Sequence, residues 1–353
     1  MVPAHRRKPP VPFGALVAAL IAVAVAVAVM SRDEDHGPTG AAAASRSPSV
    51  AASSASPSPA ERTSSAPPEV RRELVIHATG DVNLDPGYIS TYDAQGYDYA
   101  WSGLDGLFLT DDLTIVNVEC PVSDLGAQLD KQFSFHGDPD ALPEMKDAGV
   151  EVGSLANNHA YDRGPDALVD SVRNLRQAEI APVGAGRDSA EALSPAVFDM
   201  KGWRIAVLGF DEVIDPEYQV AGPHKPGTAA GHDFSLMVKA VRETAKDADL
   251  VIVMIHWGVE LDTQPREYQV TEGHRLIDAG ADMIFGGHSH RLQPLSVYRG
   301  RPIFWSLGNF VWPNFSAAGS RTGVAHVTVT PRGRFVAKLL PAIIVAPGHP
   351  ELQ

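Results

Sequence analysis

Seven short apolar segments constrain the fold of this chain more than any other sequence feature. They are rich in β-branched residues, and several are separated by amphipathic stretches with helical spacing at residues 166–178, 234–246 and 266–279. The segments are residues 74–78, 113–118, 150–155, 204–210, 250–255, 283–285 and 302–305. Strands that are apolar on both faces must be covered on both faces, so the pattern predicts a layered α/β fold with buried sheets.

The end of the folded region has a different pattern. Residues 324–330 and 334–340 flank Pro331-Arg332-Gly333, which predicts a hairpin and therefore an antiparallel edge of a sheet.

Cys120 is the single cysteine, so no internal disulfide can form and the fold must depend on core burial or metal. Nothing adjacent would lower its thiol pKa, which indicates a small buried hydrophobic residue.

The charge balance excludes one class of function. The 353 residues have a formal net charge of −14, and residues 73–353 contain 21 basic and 38 acidic side chains, a net charge of −17. A nucleic-acid-binding surface needs positive charge to neutralise phosphates. The sequence therefore predicts that this protein does not bind nucleic acid.

Residues 13–30 form an uninterrupted apolar run of 18 residues without charge or proline, which is long enough to span a bilayer. Basic side chains at residues 5–8 precede it and acidic ones at 33–35 follow it. This asymmetry predicts a cytoplasmic segment at 1–12, a transmembrane anchor and an exported remainder. A cleaved signal peptide is the alternative, because the Ala-Val repeats near the end of the run offer cleavage sites, and it also exports the remainder.

Residues 31–72 are predicted to form a disordered linker. Within 37–68, 24 of 32 residues are Ala, Ser or Pro, a composition that cannot build a core. A flexible chain of this length reaches on the order of 30 Å. We therefore expect one folded domain at residues 73–345, held at the cell membrane with the domain outside, or secreted if the segment is cleaved.

Five of the apolar segments run directly into polar side chains. The polar residues are Asp81 and Asn83, Asn117 and Glu119, the run Asn157-Asn158-His159, His256, and the pair His288 and His290. Open α/β sheets build their sites at the carboxyl ends of strands. The sequence therefore predicts a functional site there.

The predicted donors indicate a metal of a particular class. Asp81 and Glu119 supply hard oxygen donors, one asparagine supplies a neutral oxygen, and His256, His288 and His290 supply nitrogens. This mixture suits Mn, Fe or Zn better than Ca or Mg. A shared carboxylate can bridge two such ions about 3.5 to 4 Å apart, which clamps a phosphoryl group and activates water. We therefore expect a divalent transition metal cofactor, with two ions.

Each residue also has a simpler explanation when it is considered alone. Asp81 could be a turn residue or a helix cap, and residues 157–159 could cap the helix that follows Pro165. Trp257, Trp305 and Trp312 are core or rim residues by default. Only the convergence of five clusters favours a site over these alternatives.

Several of these segments resemble the CapA family of capsule-synthesis proteins. That family is associated with poly-gamma-glutamate biosynthesis and belongs to the calcineurin-like metallophosphoesterase superfamily. The resemblance covers about residues 73–312 and implies a layered β-sandwich flanked by helices, in the order α/β/β/α. The matching segments are Gly80-Asp81-Val82, 117–121, 135–139, 154–164, 256–260, 280–282, Gly287-His288-Ser289-His290 and 306–310.

The resemblance also implies a role for each site residue. Asp81 matches the Asp ligand of the first strand, Glu119 the bridging carboxylate and Asn158 the amide ligand. His159 matches the catalytic His that assists the leaving group. The remaining metal ligands by this match are His256, His288 and His290.

Three positions depart from the pattern of the superfamily or the family. Asn83 replaces the His of the Asp-x-His motif, which predicts the loss of a nitrogen ligand or weaker binding of the first metal. Glu119 replaces an Asp and shifts where a bridge could lie, and Leu261 replaces a common aromatic residue.

The resemblance implies an exported protein for the synthesis, anchoring or processing of a capsule polymer, built on a metal-dependent phosphoesterase fold. A general extracellular phosphodiesterase or phosphatase, and a non-catalytic polymer-binding accessory of an export complex, are the alternatives. The expected partners are the membrane, an anionic polymer or phosphoester, and polymer synthase or export subunits. The charge of −17 requires local contact with a polyanion, through metal or through four arginines: Arg163, Arg266, Arg291 and Arg321.

Overall fold

The structure is a computed structural model, which describes residues 70–213 and 218–353. The predicted membrane segment at 13–30 and nearly all of the predicted linker lie outside the described residues. Within the described part of the chain, no helix is both long enough and apolar enough to cross a membrane.

The described residues form sixteen strands and seven α-helices, with 3-10 turns at Leu107–Leu109 and Pro139–Ala141. The strands are β1 (Leu74–Val82), β2 (Leu113–Val118), β3 (Val152–Ser154), β4 (Ala181–Val183), β5 (Ala185–Gly186), β6 (Ala196–Met200), β7 (Trp203–Asp211), β8 (Gly227–Thr228), β9 (Leu250–His256), β10 (Met283–Gly287), β11 (Leu295–Tyr298), β12 (Arg301–Phe304), β13 (Asn309–Val311), β14 (Arg321–Val329), β15 (Phe335–Ala346) and β16 (His349–Leu352). The helices are α1 (Tyr92–Gln95), α2 (Tyr99–Ser102), α3 (Leu142–Asp147), α4 (Gly164–Gln177), α5 (Ser189–Ala192), α6 (Phe234–Thr244) and α7 (Glu267–Ala279).

The first sheet has eight strands in the order β16-β15-β14-β1-β2-β3-β4, and β13 also pairs with β1. Strands β1 to β4 and β13 pair in parallel, whereas β14, β15 and β16 pair antiparallel. The predicted hairpin is confirmed, because β14 and β15 pair from Val329 and Phe335 outward. The sheet extends beyond residue 345, since β16 pairs with β15.

The second sheet has six strands in the order β11-β12-β10-β9-β7-β6. Its four central strands are parallel, and the outer strands β6 and β11 pair antiparallel with their neighbours. Strands β5 and β8 form a separate antiparallel pair. Both large sheets therefore have a parallel centre, which is the arrangement in which strands are buried on both faces.

The parallel centre of each sheet is buried on both faces. In β9, Ile252 and Met254 pack into a core that both sheets share, whereas Val251 and Val253 pack with residues of α6 and α7. In β2, Ile115 faces the shared core and the next residue packs with residues of α3 and α4. The predicted order of layers, α/β/β/α, is thus confirmed, and it explains why the strands are apolar at successive positions.

Two of the long helices, α4 and α6, begin at residues that favour the start of a helix. Pro165 occupies the first turn of α4, where its missing N–H removes no hydrogen bond. The Asp233 side chain caps α6 by accepting a hydrogen bond from the backbone N–H of Leu236. Each helix buries one apolar face, so packing against a sheet supplies most of its stability.

Candidate metal centre

The carboxyl ends of parallel strands from both sheets bring the polar residues together. In the first sheet, Asp81 of β1 lies opposite Asn117 of β2, and Glu119 follows β2 directly. In the second sheet, His256 at the end of β9 lies opposite Gly287 at the end of β10. The site therefore lies where the strand ends of two sheets meet.

All six predicted metal ligands gather there. Ligand atoms of Asp81, Glu119 and His290 lie within 4.8 Å of one another. His256 connects this group to the others, because its Nε2 atom lies 2.9 Å from Asn158 Oδ1, 3.2 Å from His288 Nδ1 and 3.5 Å from Glu119 Oε1. The predicted strand ends thus converge on one point.

The two carboxylates differ in how they are compensated. Asp81 Oδ1 accepts a hydrogen bond of 2.9 Å from Asn117 Nδ2, and Oδ2 lies 3.2 Å from His290 Nδ1. Burial alone would raise the pKa of Asp81, but the contacts with His290, His256 and Asn117 lower it to about 2. Burial and the charge of Asp81 raise the pKa of Glu119 well above its ordinary value.

Two of the three histidines, His256 and His288, are tuned toward neutral nitrogen donors. Burial and the neighbouring charge of His288 lower the pKa of His256 well below its ordinary value. Burial and His290 lower the pKa of His288 to about 4. Burial also acts to lower the pKa of His290, but the contact with Asp81 outweighs it and raises the value. Neutral imidazoles are the form that binds metal.

The backbone after β10 is held in a sparsely populated conformation. His288 and His290 have φ angles of 84° and 51°, in the left-handed region that residues with a Cβ rarely adopt. A Cβ at Gly287 would lie 2.8 Å from Asp81 Oδ1, so only glycine allows this approach. Such strain occurs at sites where the surrounding structure fixes the position of functional groups.

The residues present fit a cation. Glu119 is fully buried, and neither of its carboxylate oxygens has a hydrogen-bond partner among the described residues. Asp81 Oδ2 also lacks one there, because the Nδ1 atom of His290 is directed at Asn309 Oδ1 at 2.8 Å. Buried carboxylate oxygens without partners are costly unless a cation compensates them. The mixed oxygen and nitrogen donors suit Mn, Fe or Zn.

His159 lies beside the six predicted ligands, and a second layer of residues holds it. Its Nδ1 atom lies 2.7 Å from Asp162 Oδ2. Asp162 also accepts hydrogen bonds from the backbone N–H of Phe135 and from the Lys131 ammonium. Burial lowers the pKa of His159, and the Asp162 carboxylate opposes this effect. Lys131 further donates to the backbone carbonyl of Asn158 at 2.9 Å.

A cavity of about 260 Å³ opens beside His159 and His290. Aromatic side chains form much of its wall, and Arg291 and Glu260 add charge. The aromatic residues are Tyr88, Phe133, Phe135, Trp312 and Phe315. We call this space the aromatic cavity.

Four further residues belong to the site: the sequence already placed Asn117 at a strand end, whereas the other three did not stand out as functional. Asn117 joins Asp81 and His256, with Nδ2 at 2.9 Å from Asp81 Oδ1 and 3.2 Å from His256 Nδ1. The others are Lys131, Asp162 and Asn309. Asp162 and Asn309 lie in segments that resemble the family, which was the available signal, but Lys131 is distant in sequence and only the fold reveals its contacts.

The contacts of Asn83 show what replaces the His of the Asp-x-His motif at the candidate metal centre. Its side chain is buried, and its Oδ1 atom accepts a hydrogen bond of 2.9 Å from the backbone N–H of Asp85. Its Nδ2 atom has no partner among the described residues. A histidine nitrogen donor is thus absent at this position, and the amide oxygen is engaged locally.

Comparison of the sequence with known families agrees with the site. A profile of the family described as "Bacterial capsule synthesis protein PGA_cap" matches residues 75–314. The chain belongs to this family. The matched region begins in β1 and ends just after β13, so it contains every predicted ligand and most of the residues that line the aromatic cavity.

Relatives within the family share about a third of their residues with this chain. The PGA biosynthesis protein CapA of Bacillus subtilis is 32% identical over 236 residues, 66% of this chain and 62% of that protein. The capsule biosynthesis protein CapA of Bacillus anthracis is 30% identical, over 71% of this chain and 64% of that protein. The chain thus spans less than two thirds of the length of both.

A further relative and a solved structure extend the comparison. A probable polyglutamine synthesis accessory protein of Mycobacterium tuberculosis is 31% identical, over 69% of this chain and 68% of that protein. The NAD nucleotidase of Haemophilus influenzae has a similar structure with a TM-score of 0.47 and 15% identity, over 77% of this chain and 50% of that chain.

Proposed function

We propose that this protein is an exported, metal-dependent hydrolase of bacterial capsule synthesis that acts on an anionic polymer of the polyglutamate type. Membership of the capsule synthesis family and the names of its relatives support the biological role. The arrangement of the candidate metal centre supports the chemistry. Polymer synthase or export subunits are the partners that this role implies.

The observation that carries the proposal is the environment of Glu119. Its two buried oxygens have no hydrogen-bond partner among the described residues, and they lie among the nitrogen and oxygen donors of Asp81, His290 and His256. A purely structural carboxylate would be hydrogen-bonded at this depth. Together with Asn158 and His288, these residues would hold one or two divalent ions. When bound, such a metal supplies positive charge and lowers the pKa of water.

The residues of the chain supply the remaining chemistry. Asp162 fixes the Nδ1 side of His159, which leaves Nε2 to exchange a proton with substrate. His159 would first take a proton at Nε2 from water, and as imidazolium it would donate that proton to the leaving group as a bond to phosphorus or to an acyl carbon breaks. Lys131 holds the Asp162 carboxylate in place. The aromatic cavity would offer apolar surface on one side of the reacting group.

We also propose that residues 31–353 lie outside the cytoplasm, tethered by the segment at 13–30 or released if it is cleaved. The basic flank before this segment and the acidic flank after it motivate the assignment. Protease added to intact cells or spheroplasts should digest the domain, while a cytoplasmic marker protein stays intact. Protection of the domain in intact cells, with digestion only after lysis, would contradict it.

The test of the hydrolase is metal analysis of the purified protein combined with turnover of phosphodiester, phosphomonoester and gamma-glutamyl substrates. The double variant His288→Ala, His290→Ala should lose metal and all turnover while its circular dichroism spectrum remains that of a folded α/β protein. A matched control is His232→Gln, which alters an exposed histidine.

The outcomes separate the candidate functions. Turnover of gamma-glutamyl substrates alone supports the proposal, and turnover of phosphoesters alone supports a general phosphoesterase. Metal binding without any turnover supports the polymer-binding accessory instead. Unchanged metal content in the double variant would show that the metal assignment is wrong.

A further inference from the structure

Arg291 has no carboxylate partner among the residues that the structure describes. Many arginines of this acidic domain are paired, for example Arg266 with Asp262 and Arg301 with Asp282. Arg291 is different: among the described residues no carboxylate lies within ion-pair distance of it, and its guanidinium donates from Nη1 to the backbone carbonyl of His290 at 2.6 Å.

Arg291 lines the aromatic cavity. Its guanidinium lies beside the candidate metal centre, because it donates to the backbone carbonyl of the predicted ligand His290. A Cβ added at Gly319 would lie 3.1 Å from Nη1, which places the guanidinium against the 316–319 segment of the cavity wall. The other three arginines that could contact a polyanion do not line the cavity. Arg163, for example, donates to the backbone carbonyls of Leu125 and Gly126.

The rest of the cavity wall restricts the ligand. Phe135 and Trp312 are buried with ring centroids 5.6 Å apart, and Tyr88 lies 4.7 Å and 5.5 Å from them. Burial and the charge of Glu119 raise the pKa of Tyr88 to about 12, so its hydroxyl stays neutral. Phe315 is 77% exposed at 6.0 Å from Tyr88 and extends the apolar surface to solvent.

We propose that Arg291 and the aromatic cavity form a subsite for a repeat unit that carries a free carboxylate on a short aliphatic chain. This inference rests on the proposed function, because the subsite adjoins the same metal centre. The Nε and Nη2 atoms of Arg291, which have no partner among the described residues, would bind the carboxylate as a two-pronged donor. The rings of Phe135 and Trp312 would cover the methylene groups.

The net charge of the protein explains why an unpaired arginine is needed in the subsite. A domain with a net charge of −17 repels a polyanion in general, so contact requires a local cation that is not already neutralised. Arg291 meets this condition beside the reacting centre. The repeat unit of a gamma-linked glutamate polymer has the required chemistry, because each unit has one free carboxylate and two methylene groups. A phosphate ion has the negative charge but no methylene groups for the rings to cover.

The test measures binding to the full-length, metal-loaded protein by tryptophan fluorescence, because Trp312 forms part of the wall and reports occupancy without turnover. The probes are a short gamma-linked glutamate oligomer, its neutral carboxamide analogue of equal length, and inorganic phosphate. We expect the wild-type protein to bind the carboxamide about 10- to 100-fold more weakly than the acid. This comparison needs no variant, so it does not depend on the folding of one.

Arg291→Gln should remove most of this preference, and Arg291→Lys should restore part of it because it keeps the charge but not the planar fork. Arg332→Gln, in the exposed turn between β14 and β15, is the matched control and should behave as wild type. Metal content is measured in each variant, so that weaker binding caused by loss of metal can be told apart from weaker binding caused by loss of the arginine.

Equal affinity for acid and carboxamide, or an unaltered preference in Arg291→Gln, would overturn the subsite. Arg291-dependent binding of phosphate without binding of the acid would overturn it as well. If the subsite alone is wrong, metal binding and turnover persist. If the proposed hydrolase is wrong, metal binding or turnover is missing although the acid still binds through Arg291.

Discussion

The Nδ1 atom of His159 lies 2.7 Å from the Oδ2 atom of Asp162, three residues later in the chain. Asp162 is fully buried and accepts hydrogen bonds from the backbone N–H of Phe135 and from Lys131. A carboxylate that only accepts places the proton of this contact on Nδ1. His159 is therefore held with its other nitrogen free, which is the geometry of a proton donor with an orienting partner.

His159→Gln should reduce turnover by about 10²- to 10⁴-fold, the usual effect of removing a positioned proton donor, with unchanged metal content. A metal ligand would behave differently, since added metal would then restore part of the rate. Rate is measured against metal concentration, with His232→Gln as the control at an exposed position. Equal rates in variant and wild type at saturating metal would rule out the proton-donor role.

Glu119→Gln should have opposite effects on the metal-free and the metal-loaded protein. Without metal, the variant no longer buries an uncompensated carboxylate, so its free energy of unfolding should rise by about 1–3 kcal/mol near neutral pH. With metal, the stabilisation that metal gives the wild type should shrink or disappear. Urea unfolding with and without chelator measures both.

The control for Glu119→Gln is Glu179→Gln, which alters an exposed carboxylate away from the site. It should leave both free energies within about 0.5 kcal/mol of wild type. A loss of stability in the metal-free Glu119→Gln protein would contradict the interpretation of Glu119 as a residue held in place for a cation.

Glu151 should make stability depend on pH. Burial raises its pKa to about 7 from the ordinary 4.5, although Glu151 accepts a hydrogen bond from the backbone N–H of Thr114 at 2.8 Å. The folded state then binds the proton more tightly than the unfolded state. Its contribution to stability is therefore full below pH 4.5 and is lost as pH rises to 7.

Glu151→Gln tests this dependence by urea unfolding at about pH 5 and about pH 8. Relative to wild type, the variant should be more stable at the higher pH than at the lower pH, because the amide has no charge to bury. The same difference between variant and wild type at both pH values would show that Glu151 does not titrate in this range.

Cys120 should be unreactive in the folded protein. It is fully buried, burial raises its thiol pKa, and Sγ accepts a hydrogen bond from the backbone N–H of Leu84 at 3.3 Å. The thiol should therefore react with an aromatic disulfide reagent only as fast as the protein unfolds. Rapid labelling under native conditions, with an unchanged circular dichroism spectrum, would contradict its burial.

The sequence by itself determined the layers and the composition of the site. Apolar residues at successive positions in β2 and β9 require burial on both faces, which is a local property of each strand and predicts a layered α/β fold with buried sheets. The order of the layers, α/β/β/α, was implied by the family resemblance. The polar residues at the carboxyl ends of strands, such as Asp81 in β1 and His256 in β9, could be predicted because parallel strands deliver their carboxyl ends to one edge. The segment at 13–30 lies outside the described residues, and its role stays a prediction.

Only the tertiary structure decided which side chains meet. Lys131 reaches Asp162 from 31 residues away, and Arg291 differs from many other arginines because no carboxylate of the described residues lies within ion-pair distance of it. The unpartnered oxygens of Glu119 are likewise invisible in the sequence. These facts depend on how two sheets pack and on which groups water cannot reach. Such long-range packing is absent from local propensity and spacing, so it could not be predicted from the order of residues alone.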